Sequence, residues 1–376
     1  MKRTVFYHQE LQAGAKMRQA QGWEMPDHFG DPRGEHLAVR AAAGLFDWAS
    51  AGEIEIQGRD ALALIQKVIV NDASHTPIGR VLYTTLCRPD GAIFSDVTIY
   101  RLGADLYWCM TAWGSNQANG RPELEWLREQ ARGLEVCITD VSSGVALLAV
   151  QGPAARDIVA QLGPADLDAL RYMECVETTL AGAPRALISR TGYTGELGYE
   201  LIVPTEHGYD LWDALATAGR PFGMRHAGLE AAFSLRIEKG YVMRFDFMDG
   251  VTPFEAGLGW TVKLDKGDFI GREALAQQWA EGVRRKLVSV ALEDETLPGG
   301  GCPVLHGGAA IGKITSSAYG YSVGCPLALA LVPAELARPD LPVEVEAAGQ
   351  RHPARIVRRP FYDPAGTRLR PENSAG

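Results

Sequence analysis

From Val81 to Thr111 the chain reads as an antiparallel meander, and that stretch excludes whole classes of fold. Val81-Leu-Tyr-Thr-Thr-Leu-Cys87 is rich in strand residues, Arg88-Pro-Asp-Gly91 has the composition of a tight turn, Ala92 to Arg101 returns, and Asp105 to Thr111 continues after Gly103. Strands this close in sequence pair antiparallel, since a parallel partner needs a crossover of about a dozen residues. Around the meander, Ala51-Gly-Glu-Ile-Glu-Ile-Gln57 alternates at period two. Helix-like segments run from Gln9 to Gln21, Arg33 to Ala43, Asp60 to Val70 and Pro122 to Gly133, with a loop at Trp23-Glu-Met-Pro-Asp-His-Phe29. From Val145 the outline repeats: an apolar strand to Gln151, a Gly152-Pro153 break, a helix over Ala154 to Leu162, strands around Cys175 to Leu187 and Tyr199 to Val203, and an amphipathic helix from His207 to Ala218. Helices interspersed with antiparallel hairpins predict an α+β fold and not a parallel doubly wound sheet. Beyond Arg284 the texture changes to short alternating strands broken by Pro298-Gly-Gly-Gly301 and Gly307-Gly308, which predicts a small all-β barrel or sandwich. The expected division is an α+β part over 1–140 with discontinuous contributions, a second over 141–284, the β unit over 285–365 and a poorly ordered tail over 366–376.

A chain of 376 residues can bury two or three cores. A net charge of -9 argues against a partner recognised through phosphates, and no basic, aromatic-rich stripe offsets it. Met1-Lys-Arg-Thr-Val-Phe-Tyr-His8 lacks an apolar h-region, and no apolar run reaches membrane-spanning length, so a cytoplasmic protein is expected. Cys87, Cys109, Cys137, Cys175, Cys302 and Cys325 form no C-x-x-C pair and no histidine lies at zinc spacing, so reduced thiols and no metal site are expected.

Candidate chemistry concentrates in three places. Arg190-Thr-Gly-Tyr-Thr-Gly-Glu-Leu-Gly-Tyr-Glu200 crowds glycines, tyrosines and carboxylates between apolar runs. Its glycines allow close backbone approaches, its tyrosines offer flat faces, and a carboxylate suits a heterocycle edge bearing an amino group beside a ring N–H, as in a pterin. A glycine-rich hairpin with exposed acids fits the same letters. Asp96 interrupts an otherwise apolar, β-branched strand; buried, it would have a raised pKa and could hold a proton near a reacting nitrogen, whereas on an edge strand it would simply face solvent. Gly228 to Tyr241 reads as a helix ending at Gly240, with Arg236, Glu238 and Lys239 as a helix-end charge pattern.

In their order these segments resemble the aminomethyltransferase family, which includes the T-protein of the glycine cleavage system and related tetrahydrofolate-dependent demethylases. The resemblance spans nearly the whole chain: Gly22-Trp23 with Met25-Pro26, Gly44-Leu-Phe-Asp47, Ala149-Val-Gln-Gly-Pro153, Thr191-Gly-Tyr-Thr-Gly-Glu196, Gly257-Leu-Gly-Trp260 and Asp268-Phe-Ile-Gly-Arg-Glu-Ala274. It implies a three-domain, cloverleaf-like ring around a central folate channel with a C-terminal barrel. It also implies a pterin-binding glutamate at Glu200, a pterin-side tyrosine at Tyr193, the catalytic aspartate at Asp96 and an aromatic partner at Tyr83.

Several positions depart from the T-protein pattern. The first acid of its D-D pair is Ser95, its F-D-V-S-H-M is Phe46-Asp-Trp-Ala-Ser-Ala51, its folate-side arginine is Ala232, and an asparagine is replaced by Thr111. Ser234-Leu-Arg-Ile-Glu-Lys-Gly240 is instead similar to the folate domains of dimethylglycine and sarcosine dehydrogenases, although no dinucleotide-binding G-x-G-x-x-G precedes it. The resemblance therefore implies first a demethylase that moves a methyl group from a small N-, O- or S-methylated substrate to tetrahydrofolate. Trp48, Trp108, Trp113 and Tyr241 are candidates for the substrate wall, by cation–π contact or as plain packing, and Arg244 for the missing arginine. The alternatives are a T-protein served by a lipoylated carrier protein, a noncatalytic folate binder, and a formaldehyde-capturing partner of a separate flavin oxidase. The K-G-C-Y-x-G-Q-E signature of the noncatalytic branch is absent, since Lys239-Gly-Tyr241 continues as Val-Met-Arg244.

Overall fold

The computed structural model describes residues 1–111 and 122–371. The meander forms as predicted: Val81–Cys87 pairs with Ile93–Arg101, placing Tyr83 opposite Thr98 and Thr85 opposite Asp96. Leu106–Thr111, Gly52–Gln57 and Cys137–Asp140 extend it to a five-stranded sheet. Because side chains alternate along a strand, Val97 and Ile99 point one way while Asp96, Thr98 and Tyr100 point the other. Val97 and Ile99 join Ile54, Ile56, Leu64, Ile65 and Leu127 in a core closed by helices Ala61–Val68 and Pro122–Gln130. Full burial of each such aliphatic side chain is worth about 1.5–3 kcal/mol, which fixes the register and commits the Asp96 row to the opposite face.

A six-stranded sheet lies across from that face, in the order Cys175–Leu180, Ala183–Ser189, Gly198–Pro204, Val145–Gln151, Gly44–Asp47, Arg225–His226. Leu148, Val150, Tyr199, Leu201 and Val203 point outward and pack under helix Gly208–Gly219 through Leu211, Trp212 and Leu215. Its inner residues Leu147, Leu187 and Ile202 meet Val81, Tyr100 and Met110 of the first sheet. Glu200, two residues before Ile202 on its strand, shares that inner face.

The C-terminal unit is a closed barrel and not a sandwich. Its strands run Arg285–Leu292, Cys325–Pro333, Ala309–Gly320, Pro303–His306, Pro342–Ala347, Gln350–Val357, and the last pairs with the first, so no edge remains. Val290, Val304, Ile314, Ala330, Val345 and Ile356 fill it. Helix Leu229–Glu238 is the axle between the units. Leu229 packs on Trp23, Ala231 and Leu235 on Val39 and Phe46, and Ile237 on Ala318 and Leu327 of the barrel. A helix buried over most of its surface, with only Glu230 exposed, needs no amphipathic stripe. Among the described residues no helix is long and apolar enough to cross a membrane.

Two expectations are corrected. The helix over Gln9 to Gln21 is only Tyr7–Gln12; Lys16–Ala20 is a strand that turns at Gln21 and Gly22 (φ 50 and 85) and pairs with Trp23–His28, the presumed loop. Tertiary pairing overrides helix propensity there. Gly44–Asp47 belongs to the six-stranded sheet, while Phe269 and Leu275 pack on Val70 and Cys87 beside the five-stranded one. The segment after Pro364 is packed as far as residue 371, with Leu369 buried and its carbonyl accepting from Arg190 Nη2 at 3.0 Å.

Candidate functional site

Asp96 is buried, so the edge-strand reading is set aside. Tyr83 stands on the same face one strand over, and its hydroxyl donates to Asp96 Oδ2 at 3.0 Å. Burial lifts the Asp96 carboxyl from its ordinary 3.8 to about 6, with the Tyr83 hydrogen bond pulling the other way. Burial also pushes the Tyr83 phenol well up, so Tyr83 stays a donor. The exposed indole of Trp260 stacks on the Tyr83 ring at 6.1 Å and 23°. Arg359 supplies positive potential at Tyr83, a contribution that its sequence position just after the last barrel strand does not signal.

Tyr100 is four residues beyond Asp96 on the same strand face, roughly 13 Å along the strand, and donates to Glu200 Oε2 at 3.0 Å across the gap between the sheets. The Thr191 hydroxyl donates to the same oxygen at 2.5 Å. Burial raises the Glu200 carboxyl while these two hydroxyls lower it. Among the described residues Oε1 of Glu200 accepts no hydrogen bond, so one oxygen is fixed and the other is available. Tyr100 lies at the two-residue period counted from Asp96, which is the signal that points to it, whereas Thr191 sits outside any strand and no such period marks it.

The glycine-rich segment Thr191–Gly198 folds around the amide of Gln151. Gln151 Nε2 donates to Thr191 O at 3.1 Å and Thr194 Oγ1 donates to Gln151 Oε1 at 2.9 Å. A Cβ at residue 192 or 198 would lie 2.0–2.6 Å from that amide, so both positions need glycine. Tyr193 is thereby held with its hydroxyl on Val242 O at 2.6 Å and its ring against Tyr241 at 5.9 Å and 28°. Burial raises both phenols.

Arg236 and Glu238 are not a helix-end charge pattern. Arg236 is buried and donates to Tyr241 O at 3.0 Å and Asp246 Oδ2 at 3.2 Å, fixing the turn beside Tyr193. Glu238 is buried and pairs with Arg40 at 2.8 Å. Lys239 pairs with Asp363 at 3.2 Å.

The other expected residues scatter. Trp108, opposite Tyr100 in register, donates to Glu55 Oε2 at 3.1 Å, and Trp48 leans on Phe46 at 5.5 Å; both border the Tyr100 cluster rather than Asp96. Arg244 is exposed on the turn Arg244–Asp246, and among the described residues its guanidinium makes no hydrogen bond. Trp113 lies outside the described residues. Ala232, where the T-protein pattern has arginine, is packed among Val39, Phe46 and Leu235. A cleft of about 480 Å³ lined by Arg284, Arg285, Lys313 and Leu331 lies on the barrel and contains none of these groups. Two of its cations are committed, Arg285 to Glu255 and Lys313 to Asp249.

The GCVT N-terminal domain model matches residues 6–266, and the glycine cleavage T-protein C-terminal barrel domain model matches residues 285–363. An aminomethyltransferase of Streptomyces avermitilis is 41% identical over 355 residues, covering 93% of this chain and 94% of its own. One from Moorella thermoacetica is 40% identical (96% and 98%) and one from Bacillus subtilis 36% (96% and 99%). The crystal structure of glycine cleavage system aminomethyltransferase T from Bartonella henselae superposes with a TM-score of 0.89 at 28% identity, covering 96% of this chain and 98% of that one.

Proposed function

Because the chain belongs to the glycine cleavage T-protein family of aminomethyltransferases, we propose that it takes an aminomethyl group from a lipoylated carrier protein, passes the one-carbon unit to tetrahydrofolate and releases ammonia. The carrying observation is the match, over nearly the full length, to relatives that bear the aminomethyltransferase name. It moves the reading from the small-molecule demethylase that the sequence departures suggest to the T-protein alternative.

The residues present fit the acceptor. Glu200 keeps one oxygen without a hydrogen bond among the described residues while Tyr100 and Thr191 anchor the other, so the free oxygen can accept one of the two donors that an amino group beside a ring N–H presents. Tyr193 and Tyr241 add flat faces. Tetrahydrofolate, when bound, supplies the nitrogens that take up the one-carbon unit. Glu200 orients it, and the Thr191–Gly198 loop holds one of its faces. Asp96, ionised above about pH 6, faces the reacting centre as a fixed anion that stabilises developing positive charge or accepts a proton. Tyr83 holds that carboxylate in one orientation, and Trp260 screens Tyr83 from water. Holding both partners in one site supplies much of the rate through proximity.

Ser95 and Ala232, standing where T-proteins carry an acid and an arginine, favour a second reading in which a small methylated metabolite is the donor. One experiment separates the two. The purified protein is given tetrahydrofolate with either an aminomethylated lipoyl carrier or a panel of methylated amines, and ammonia and folate products are measured. Ammonia release that needs both carrier and tetrahydrofolate supports the T-protein reading. Folate product from a methylated amine without carrier replaces it with the demethylase.

A further inference from the structure

After the barrel's last strand, Gln350–Val357, the chain returns to the other two units. Phe361 N and Tyr362 N donate to Glu238 O at 2.9 and 3.0 Å, at the end of the central helix. The Tyr362 ring then lies under Arg40 at 4.1 Å, and its hydroxyl donates to Glu196 Oε1 at 3.1 Å. Arg368 Nε reaches both Glu196 oxygens at 2.9 and 3.0 Å, and its Nη2 donates to the carbonyl of Arg40. The backbone finishes the grip: Leu197 N donates to Arg368 O, and Leu369 O accepts from Arg190, both at 3.0 Å.

Arg190 and Leu197 are the two ends of the segment that carries Thr191 and Tyr193. That segment belongs to no helix or strand before Gly198; Gln151 holds it from inside, Arg40 and Val242 bond it at Thr194 O and the Tyr193 hydroxyl, and residues 358–371 grip it from outside. Resting on the folate reading above, we infer that this C-terminal strap is a positioning element of the tetrahydrofolate site, with Arg368 and Tyr362 acting on the Thr191–Leu197 loop through Glu196. Glu196 is almost fully buried and also pairs with Arg40 at 3.1 Å. Loss of the half-exposed Arg368 guanidinium therefore leaves the carboxylate paired with Arg40 and the fold intact, while Glu196 and the loop that carries it lose their side-chain tie to the strap. Thr191 then no longer presents its hydroxyl to Glu200 in a fixed position, and Tyr193 loses its fixed distance to Tyr241. Arg368 and Tyr362 bond to neither Asp96 nor Glu200, so their effect falls on binding of the acceptor and not on the chemical step.

The test uses the full chain as wild type, Arg368→Ala, Arg368→Lys and Tyr362→Phe. Tetrahydrofolate affinity is measured by calorimetry, thermal midpoint by scanning, and KM and kcat by turnover. Arg368→Ala is expected to raise Kd and KM for tetrahydrofolate roughly tenfold while kcat at saturation stays within about twofold, the signature of lost positioning rather than lost chemistry. Arg368→Lys should recover part of the affinity, and Tyr362→Phe, which removes a single hydrogen bond and keeps the ring on Arg40, should give a smaller rise. Wild-type affinity in Arg368→Ala and Tyr362→Phe, whatever happens to the thermal midpoint, would reduce the strap to a clamp on the fold and overturn the inference. If the wild type itself bound no tetrahydrofolate, the folate reading would fail first and take the inference with it.

Discussion

Asp96→Asn should make the protein more stable and less active, with the stability gain appearing only as pH rises. The carboxyl is buried and its folded pKa is about 6 against an ordinary 3.8. Below about pH 4 both folded and unfolded chains carry the proton and Asp96 costs nothing. Between about 4 and 6 the unfolded chain ionises while the folded one does not, so stability falls with pH. Above 6 the penalty is complete, roughly 3 kcal/mol for a difference of about two pH units. Asparagine never ionises and keeps an oxygen for the Tyr83 hydroxyl, but its amide N–H groups need acceptors, which we count as about 1 kcal/mol lost. The net gain at pH 8 is then about 2 kcal/mol, or roughly 2–3 °C in thermal midpoint for a chain of this size. Thermal scans of both proteins from pH 4 to pH 8 give the difference directly. In parallel, kcat should drop roughly 10²–10³-fold, the scale of a lost electrostatic contact in the transition state, with tetrahydrofolate affinity kept. A difference in midpoint that stays flat across pH would refute the raised carboxyl and the role built on it.

Other perturbations test separate parts of the structure. Wild-type kcat/KM should rise with pH through about 6 and then level, following ionisation of Asp96, and an activity that instead falls through 6 would assign the protonated acid to the reaction. Glu200→Gln should weaken tetrahydrofolate binding by about 1.5–3 kcal/mol, the value of a hydrogen bond to a charged group, as read by calorimetry. Glu10 and Asp47 are buried together; Asp47 accepts from Thr4 and Ala49, and burial raises the carboxyls of both. Glu10→Gln should therefore gain thermal midpoint over wild type as pH climbs from about 5 to 9, and parallel curves would rule out a proton held by Glu10. Lys266 Nζ donates to Gln66 O, Ile69 O and Asn71 O at 2.8, 2.7 and 2.5 Å. Lys266→Met should lower stability by about 2 kcal/mol in urea unfolding, and an unchanged midpoint would show those carbonyls satisfied by water.

What could be read from sequence was what local chemistry writes. The Val81 to Thr111 meander and the barrel after Arg284 carry their own alternation and turn residues, and Asp96 stood out because an acid is costly in an apolar strand. Lys16-Met-Arg-Gln-Ala20 carries helix-forming side chains and no alternation, so only its partner Trp23–His28 makes it a strand. Glu238 reads as helix-end charge and Arg368 falls in the expected tail because their partners are remote: Arg40 is 198 residues from Glu238 and Glu196 is 172 from Arg368. Tyr100 sat in an apolar run that gave no reason to prefer it over its neighbours. The site needs both sheets at once, and a single chain read in order shows one strand at a time.

The strand between Asp96 and Tyr100 also acts as a ruler. It sets the interval between the acid proposed to meet the chemistry and the hydroxyl that holds Glu200, and a β-strand can be lengthened only in steps that turn side chains over. One residue inserted between them would send Tyr100 into the helix-covered core and leave Glu200 without that donor, while two would restore the face but lengthen the interval by about 7 Å. Loops elsewhere in this chain can grow or shrink, but these five positions admit substitution and not insertion.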